Sequence, residues 1–213
     1  MTSHKDTVTT IDLLRHGACE GGEIYRGSID VALSSEGWRQ MHTAVDALGN
    51  WQQVVTSPLI RCRQFAEQYA GHQDLPLLAD NRFRELDFGE WEGREVKEVW
   101  QSEPDLIRAY YEDPVSVTPP GGEPILNAQA RIVSGWEAVL DSHMGRRILL
   151  VVHSGVIRLL LAHLLKMPIA SISTLDVPYA CITRLKVFHH NEGNTPVLLS
   201  HNPLSVKARA VDS

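Results

Sequence analysis

A continuous apolar run near residue 150 constrains the fold of this chain more than any other feature. Residues 148–152 are wholly aliphatic and end at His153-Ser154-Gly155, after which residues 156–165 are almost wholly apolar. A short aliphatic run of this kind is typical of a central parallel strand buried on both faces. His153, Arg158 and His163 interrupt the stretch, so it indicates a buried strand followed by a buried helix, not a membrane span.

Further strands and helices alternate along the chain. The pattern predicts strands at residues 9–14, 51–56, 181–188 and 197–200, and helices from Ser34 to about Leu48, from Pro58 onward, at 95–111 and at 126–140. This alternation predicts an α/β fold, a three-layer sandwich with a mostly parallel central sheet and helices on both faces. Residues 82–93 and 112–124 lack periodicity or are rich in proline and glycine, which predicts loops. We expect residues 85–124 to form a small cap-like insertion over the carboxyl ends of the strands.

Length and charge limit the classes of protein to which the chain can belong. Its 213 residues predict a single domain over 1–213. The net charge of −6 argues against a nucleic-acid partner, so any anion must bind in a local positive pocket. Three widely spaced cysteines and a polar N-terminus without a signal-peptide pattern predict a reducing, cytoplasmic location.

Three polar motifs follow three of the predicted strands. They are Arg15-His16-Gly17, Thr56-Ser57-Pro58 leading to Arg61, and His153-Ser154-Gly155. Because ligands of parallel sheets bind beyond the carboxyl ends of the strands, we expect these motifs to meet. A neutral imidazole can act as a nucleophile, arginine matches the geometry of phosphate oxygens, and glycine allows the backbone to approach a ligand. The first motif taken alone is equally compatible with a surface turn that contains a chance Arg-His pair.

The order of these blocks resembles the histidine phosphatase superfamily, which includes the cofactor-dependent phosphoglycerate mutases. The similarity covers about residues 9–190. The matching blocks are Leu13-Leu14-Arg15-His16-Gly17, then Tyr25-Arg26-Gly27 with Asp30, Leu33-Ser34 and Gly37, Ser57-Pro58-Leu59-Ile60-Arg61-Cys62, Arg84-Glu85-Leu86-Asp87-Phe88-Gly89-Glu90-Trp91-Glu92-Gly93, Pro120-Gly121-Gly122-Glu123 and Val151-Val152-His153-Ser154-Gly155-Val156-Ile157-Arg158.

The resemblance implies a role for eight residues. His16 would be the nucleophile, phosphorylated on its far ring nitrogen, and Glu85 would give a proton to the leaving oxygen, for which it must start protonated. The phosphate pocket would be formed by Arg15, Arg61 and His153, with amide donors near Ser154 and substrate contacts at Arg26 and Gly27. The resemblance implies no cofactor and no metal, and the sequence contains no HExxH motif and no Cys/His ligand cluster.

The chain departs from the pattern of the superfamily in two places. Ala18-Cys19 replaces a common Glu-Thr, and Gly22 stands where an asparagine often contacts phosphate, so a backbone amide or Arg26 would have to substitute. Cys19 is either a packing residue or an oxidation-sensitive thiol. We expect Arg158 to be structural, and the acidic residues at 85–98 to be solvated apart from Glu85.

The length favours a phosphatase over a mutase, because mutases of the superfamily tend to be longer. Within the superfamily the chain resembles the alpha-ribazole phosphatases, which implies a small phosphorylated metabolite, alpha-ribazole 5'-phosphate, as the partner in synthesis of the lower loop of cobalamin. The alternatives are another sugar- or nucleotide-like phosphate, a mutase, and a catalytically silent phospho-ligand binder. The sequence does not decide between a monomer and a homodimer.

Overall fold

The computed structural model describes residues 7–46 and 48–202, which form one mixed sheet with helices around it. The strands are β1 (Thr7–Arg15), β2 (Gln53–Thr56), β3 (Leu77–Ala79), β4 (Arg147–Val152), β5 (Ile182–His190) and β6 (Gly193–His201). The helices are α1 (Ser35–Asp46), α2 (Ile60–His72), α3 (Val96–Ser102), α4 (Pro104–Glu112), α5 (Ile125–Ser142) and α6 (Ser154–Leu164).

The sheet has the strand order β3-β2-β4-β1-β5-β6. The first four strands in this order run parallel, whereas β5 pairs antiparallel with β1, and β6 pairs antiparallel with β5 at the edge of the sheet. Arg15 lies opposite Val152, and Thr56 lies opposite Val151, so β1, β2 and β4 end at the same level. Strand β3 was not predicted, because its three residues are exposed and too few to show a pattern.

Alternate residues of the central strands belong to two separate cores, one on each face of the sheet. Ile148, Leu150 and Val152 pack in the cluster that contains α5 and α6. Leu149 and Val151 pack in the cluster that contains α1 and α2. This alternation follows from the period of two in a strand and confirms the three-layer α/β sandwich.

Helix α6 is the buried helix expected after the aliphatic strand. It has 11 residues, and six of its apolar side chains are buried against the sheet and α5. Across residues 7–46 and 48–202, no helix combines the length and the apolar character that a membrane crossing needs.

A third apolar cluster lies apart from the two cores, under α3 and α4. It consists of Tyr25, Trp91, Val99, Ile107 and Tyr110. The prediction of one helix over 95–111 was wrong, because Pro104 begins α4 and the preceding residue cannot easily remain helical. Glu103 has φ −133° and ψ 50°, which ends α3 and starts α4 in a new direction.

The starts of α1 and α2 differ in how well the sequence predicted them. The Ser34 hydroxyl accepts a hydrogen bond from the Gly37 amide at 3.1 Å, which confirms the predicted cap of α1. Pro58 was expected in the first turn of α2. That helix instead begins at Ile60, because Leu59 is extended with φ −66° and ψ 138°.

A buried ion pair ties β1 to β5 and to the segment before β2. Asp12 is 1% exposed, and its carboxylate accepts from the Arg184 guanidinium at 2.7 and 2.8 Å and from the Trp51 indole at 2.8 Å. Removing one partner of such a pair leaves the other groups without compensation.

We therefore expect Asp12→Ala to lower the free energy of unfolding by about 2–3 kcal/mol, since Arg184 is partly exposed and can recover some hydration. Urea unfolding followed by circular dichroism measures the effect. The matched control is Glu36→Ala, which removes an ion pair of Arg39 on the surface of α1 and should leave the midpoint unchanged. Equal midpoints for both variants would contradict a structural role of Asp12.

Candidate active site

The three motifs that follow β1, β2 and β4 converge at one edge of the sheet. The His16 amide donates to the Val152 carbonyl at 3.0 Å, and the Ser57 amide donates to the Val151 carbonyl at 3.0 Å. The His153 ring lies with Nε2 2.7 Å from the Ser57 hydroxyl and with its centroid 5.3 Å from that of His16. Residues that are more than 130 positions apart in the sequence therefore share one site.

His16 is held as a neutral imidazole with a defined tautomer. Its ring is buried, and its Nδ1 donates to the Gly17 carbonyl at 2.8 Å, which leaves the unprotonated lone pair on Nε2. Burial, followed by the positive charges of Arg61 and Arg15, lowers the pKa of His16 well below its usual value. The far ring nitrogen predicted as the nucleophile is therefore the one left free for a ligand.

Gly17 acts through packing between the His16 loop and α1. A Cβ at Gly17 would collide with the backbone of Gly37, and a Cβ at Gly37 would collide with the Ala18 carbonyl. The Ser34 amide and hydroxyl both donate to that same carbonyl, at 2.9 and 3.1 Å. The glycine expected to allow approach to a ligand thus allows approach to a helix, which fixes the position of His16.

Arg61 is a cation buried without a counter-charge. Its side chain is fully buried, and its nitrogens donate to His153 Nδ1 at 3.2 Å and to the carbonyls of Ile29 at 2.8 Å and Gly27 at 2.7 Å. In the described part of the chain, no carboxylate lies within ion-pair distance of it. A buried charge compensated only by dipoles favours the entry of an anion.

His153 connects this cation to the strand ends. Its Nδ1 accepts from Arg61, its Nε2 lies on Ser57, and burial followed by Arg61 lowers its pKa well below the usual value. The ring is therefore neutral, and both of its nitrogens are already hydrogen-bonded. Direct phosphate binding by Arg61 and His153 stays a prediction.

Arg15 and Arg26 each retain an unused donor. One terminal nitrogen of Arg15 donates to a backbone carbonyl, and a terminal nitrogen of Arg26 donates to the carbonyls of Glu20 at 2.8 Å and Gly22 at 2.9 Å. The buried Nε atoms of both arginines have no partner among the described residues. Both side chains line the same cavity, so they bring positive charge to an anion that enters it.

Glu85 lies beside the first turn of α6 and lines the same cavity as Arg15 and Arg26. It is 6% exposed, and its carboxylate accepts from the amides of Leu86 and Gly155, each at 3.1 Å, and from the Ser154 hydroxyl at 3.4 Å. A Cβ at Gly155 would collide with the Glu85 carboxylate. The amide near Ser154 that was expected to bind an anion from solution thus serves, at Gly155, to hold Glu85.

Glu92 is a structural residue that the sequence interpretation missed. Its carboxylate accepts four backbone N–H groups, from Phe88 and Ser28 on one oxygen and from Gly27 and Ile29 on the other, at 2.8–3.3 Å. It was expected on a solvated acidic face. The amides of residues 27–29 donate to Glu92, and the Gly27 and Ile29 carbonyls accept from Arg61, so this loop is held between two opposite charges.

Gly27 has a steric role in this loop. A Cβ there would collide with the Leu86 carbonyl and the Glu92 carboxylate, and Gly27 is absent from the described residues that line the cavity. The predicted contact between Gly27 and the substrate is therefore not seen in the geometry.

The cavity has a volume of about 320 Å³ and lies between the strand ends and the segment that carries α3 and α4. It is lined by His16, Arg15 and Glu85 and by a group of aromatic side chains, Tyr25, Phe88, Tyr110, Tyr111 and Tyr179. Arg158, expected to be purely structural, also lines it while its Nε donates to the Leu175 carbonyl at 2.9 Å. Arg158 ends the last of the matched sequence blocks but was given no ligand role there, so its position at the cavity is known only from the fold.

Cys19 behaves as a packing residue. Its sulfur lies 3.6 Å from His16 Nδ1 and 3.6 Å from the Gly17 carbonyl, and burial raises the pKa of its thiol. A thiol with a raised pKa is a weaker nucleophile toward oxidants, which favours the packing alternative. Among the described residues, no group of three or more His, Cys, Asp or Glu side chains is arranged to hold a metal ion.

Comparison of this sequence with models of known protein families identifies the family. The model of the histidine phosphatase superfamily (branch 1) matches residues 11–201. The chain belongs to this superfamily. The resemblance that rested on the separate sequence blocks is therefore confirmed.

Relatives within the superfamily differ in length and in the activity for which they are named. A bifunctional protein of Mycobacterium tuberculosis is 35% identical over 165 residues, which cover 75% of this chain but only 45% of that protein. The adenosylcobalamin/alpha-ribazole phosphatase of Salmonella typhimurium is 29% identical over 180 residues, which cover 82% of this chain and 89% of that enzyme. The chain thus spans less than half of the first relative and most of the second.

Solved structures of the superfamily share the fold. Mycobacterial glucosyl-3-phosphoglycerate phosphatase has a TM-score of 0.81 at 28% identity, covering 91% of this chain and 98% of that one. The alpha-ribazole phosphatase from Shigella flexneri has a TM-score of 0.73 at 26% identity, covering 91% and 96%.

The lowered pKa values of His16 and His153 predict a loss of stability in acid. Above about pH 6.5 both rings are neutral in the folded and unfolded states, but below it the unfolded chain binds protons that the folded site excludes. We expect each histidine to contribute about 1 kcal/mol to the fall in the free energy of unfolding between pH 7.5 and 5.5.

Urea unfolding at both pH values, on the wild type and on His153→Gln, measures this contribution. The variant should lose part of the pH dependence, whereas His72→Ala, which removes an exposed histidine at the end of α2, should keep it. An unchanged difference between the two pH values in His153→Gln would show that this ring is not held neutral.

Proposed function

We propose that the chain is a phosphomonoesterase that transfers the phosphoryl group of a small phosphorylated metabolite to His16 and then to water. The proposal rests on the arrangement of one cavity. His16 is neutral and has a free Nε2, and it lines this cavity together with Arg15, Arg26 and Glu85. The Nε atoms of both arginines have no partner among the described residues. Phosphoryl transfer depends mainly on such positioning and charge stabilisation. The three free cysteines support the cytoplasmic location that forms part of the proposal.

In the first step the lone pair of His16 Nε2 forms a bond to phosphorus while the ester P–O bond breaks. Glu85 gives its proton to the departing oxygen, which leaves as an alcohol, and Glu85 becomes a carboxylate. The Nδ1–H of His16 keeps its hydrogen bond to Gly17, which stabilises the positive charge that develops on the ring. Arg15, which lines the cavity, and the buried charge of Arg61 stabilise the charge on the phosphoryl oxygens.

In the second step a water molecule attacks the phosphohistidine. The new P–O bond forms as the P–N bond breaks, and the Glu85 carboxylate takes the proton of the water. The products are inorganic phosphate, neutral His16 and protonated Glu85. The amides of Leu86 and Gly155 keep the carboxyl group in place through both steps.

His16→Ala should abolish turnover of para-nitrophenyl phosphate, since it removes the group that carries the phosphoryl moiety. Glu85→Gln should lower kcat by about 100-fold, because it removes the proton donor and acceptor. Rapid quenching with ³²P-labelled substrate should recover an acid-labile adduct at His16 in the wild type. The exposed His72→Ala variant serves as the control and should retain full activity.

The same assay separates the alternatives to a phosphatase. A catalytically silent phospho-ligand binder would show no turnover in the wild type. A mutase would move the phosphoryl group between positions of one sugar acid and release little inorganic phosphate. Either result would contradict the proposal.

For the substrate we propose alpha-ribazole 5'-phosphate, used in assembly of the lower loop of cobalamin. The support is the largely aromatic wall made by Tyr25, Phe88, Tyr110 and Tyr111, which fits the flat, uncharged benzimidazole ring of this nucleotide. The segment at 85–124 would then act as the specificity-determining cap. Arg158 at the cavity favours a second candidate, a phosphate that also carries a carboxylate, because it adds a cation to the wall.

A screen of alpha-ribazole 5'-phosphate, glucosyl-3-phosphoglycerate, 3-phosphoglycerate, fructose bisphosphate and nucleoside monophosphates distinguishes these candidates. We expect kcat/KM for alpha-ribazole 5'-phosphate to exceed the others by at least about tenfold, and Tyr111→Ala to reduce that preference by loss of ring contact. Arg158→Gln should leave it unchanged. Highest activity on a sugar acid, lost in Arg158→Gln, would favour the second candidate while retaining the mechanism.

A further inference from the structure

A segment after α6 crosses the carboxyl end of β1 and carries one exposed tyrosine into the cavity. We call residues 175–181 the strap. The Val177 carbonyl accepts from a terminal nitrogen of Arg15, the Ala180 amide donates to the His16 carbonyl at 3.2 Å, and the Cys181 carbonyl accepts from the Arg15 amide at 3.0 Å. The strap is therefore fixed to both residues of the Arg15-His16 pair, on either side of Tyr179.

The ring of Tyr179 packs on the Arg15 guanidinium. The central guanidinium carbon lies 4.2 Å from the ring centroid, which is cation–π contact, and the ring centroid is 5.9 Å from that of His16. Within the part of the chain that the structure describes, the Tyr179 hydroxyl has no hydrogen-bond partner. The contact with Arg15 is therefore made by the aromatic face and not by the hydroxyl.

The backbone of the strap is shaped to maintain this contact. Ala180 has a φ of 54°, in the left-handed region that an alanine rarely adopts, immediately after Tyr179. The Leu175 carbonyl accepts from Arg158 at 2.9 Å, and the Asp176 carbonyl lies 2.6 Å from His201 Nε2. The strap is thus braced by α6 and β6 as well as by β1.

Arg15 is held on one edge and one face, while its side chain still lines the cavity. One terminal nitrogen is bound to Val177, the face is covered by Tyr179, and the buried Nε has no partner among the described residues. A guanidinium whose plane is fixed in advance loses less freedom when it binds a phosphoryl oxygen. The four rotatable bonds of an unsupported arginine would otherwise have to be ordered at each binding event.

We propose that Tyr179 is a positioning residue, which fixes the plane of the Arg15 guanidinium for the phosphoryl group. This inference rests on the proposed function, because it assigns Arg15 to the phosphate. It extends the site to a residue outside the sequence blocks that indicated the superfamily. It also predicts that Tyr179 affects every phosphate ligand to the same extent, whatever the alcohol attached to it.

The test compares Tyr179→Phe and Tyr179→Leu in direct binding of inorganic phosphate by calorimetry and in kcat/KM. Para-nitrophenyl phosphate and a phosphate of a small aliphatic alcohol serve as the two substrates. Tyr179→Leu should weaken phosphate binding and lower both kcat/KM values by about tenfold, whereas Tyr179→Phe should remain within about twofold of the wild type. His72→Ala changes an exposed residue at the end of α2, outside the cavity, so its affinity for inorganic phosphate should be unchanged.

A double-mutant cycle tests whether the effect passes through Arg15. In an Arg15→Lys background, which replaces the planar fork by a point charge, Tyr179→Leu should cause little further loss of phosphate affinity. Additive losses would overturn the proposal. So would normal phosphate affinity in Tyr179→Leu with a loss confined to the aromatic substrate, which would make Tyr179 a substrate contact. Thermal midpoints of all variants identify any loss of folding, and circular dichroism of Tyr179→Phe provides a folded reference.

The experiment distinguishes failure of the proposed function from failure of the inference about Tyr179. If the wild type binds inorganic phosphate but does not turn over any ester, the proposed function fails, and the calorimetric comparison of Tyr179 variants still decides the inference. If the wild type is active and Tyr179→Leu binds phosphate normally, the inference alone fails.

Discussion

A guanidinium buried without a neighbouring carboxylate is the constraint on which the rest of this site depends. Arg61 is compensated only by carbonyl dipoles and by the His153 ring, at least within residues 7–46 and 48–202. Its charge has two effects at once. It favours an anion nearby, and, together with the larger effect of burial, it lowers the pKa of His16 and His153 and so favours neutral rings. The same buried charge thus contributes both to anion affinity and to the neutral state of the proposed nucleophile.

The parallel sheet supplies the geometry that this electrostatic arrangement needs. The matched ends of β1, β2 and β4 place His16, Ser57 and His153 at one level, and contacts that tolerate no side chain then set the spacing. Gly17 meets Gly37 on α1, and Gly155 meets Glu85. Two helices on opposite faces of the sheet are therefore packed directly against the residues assigned to the chemistry, and rigid elements support each of them.

The sequence was sufficient for the layers and for the motifs at the strand ends, because these depend on local apolar patterns and short blocks. It was insufficient where a residue acts through a partner distant in the chain. Glu92 looked like one acid among several, yet it accepts amides from residues 27–29. Tyr179 belongs to no motif, and Arg158 was given no ligand role within its block; both reach the cavity only through the packing of the strap and of α6. The break at Glu103 was predictable in principle from Pro104, whose effect on the preceding residue was overlooked.

The four amide hydrogen bonds at Glu92 have a consequence for how a ligand enters. Three of them join the loop held by Arg61 to the start of the segment that carries α3 and α4, so swinging that segment outward would break those three together. A hinged lid is disfavoured by this cost. The cavity lined by Tyr111 and Tyr179 is then preformed, and a ligand is selected by its fit to a fixed shape.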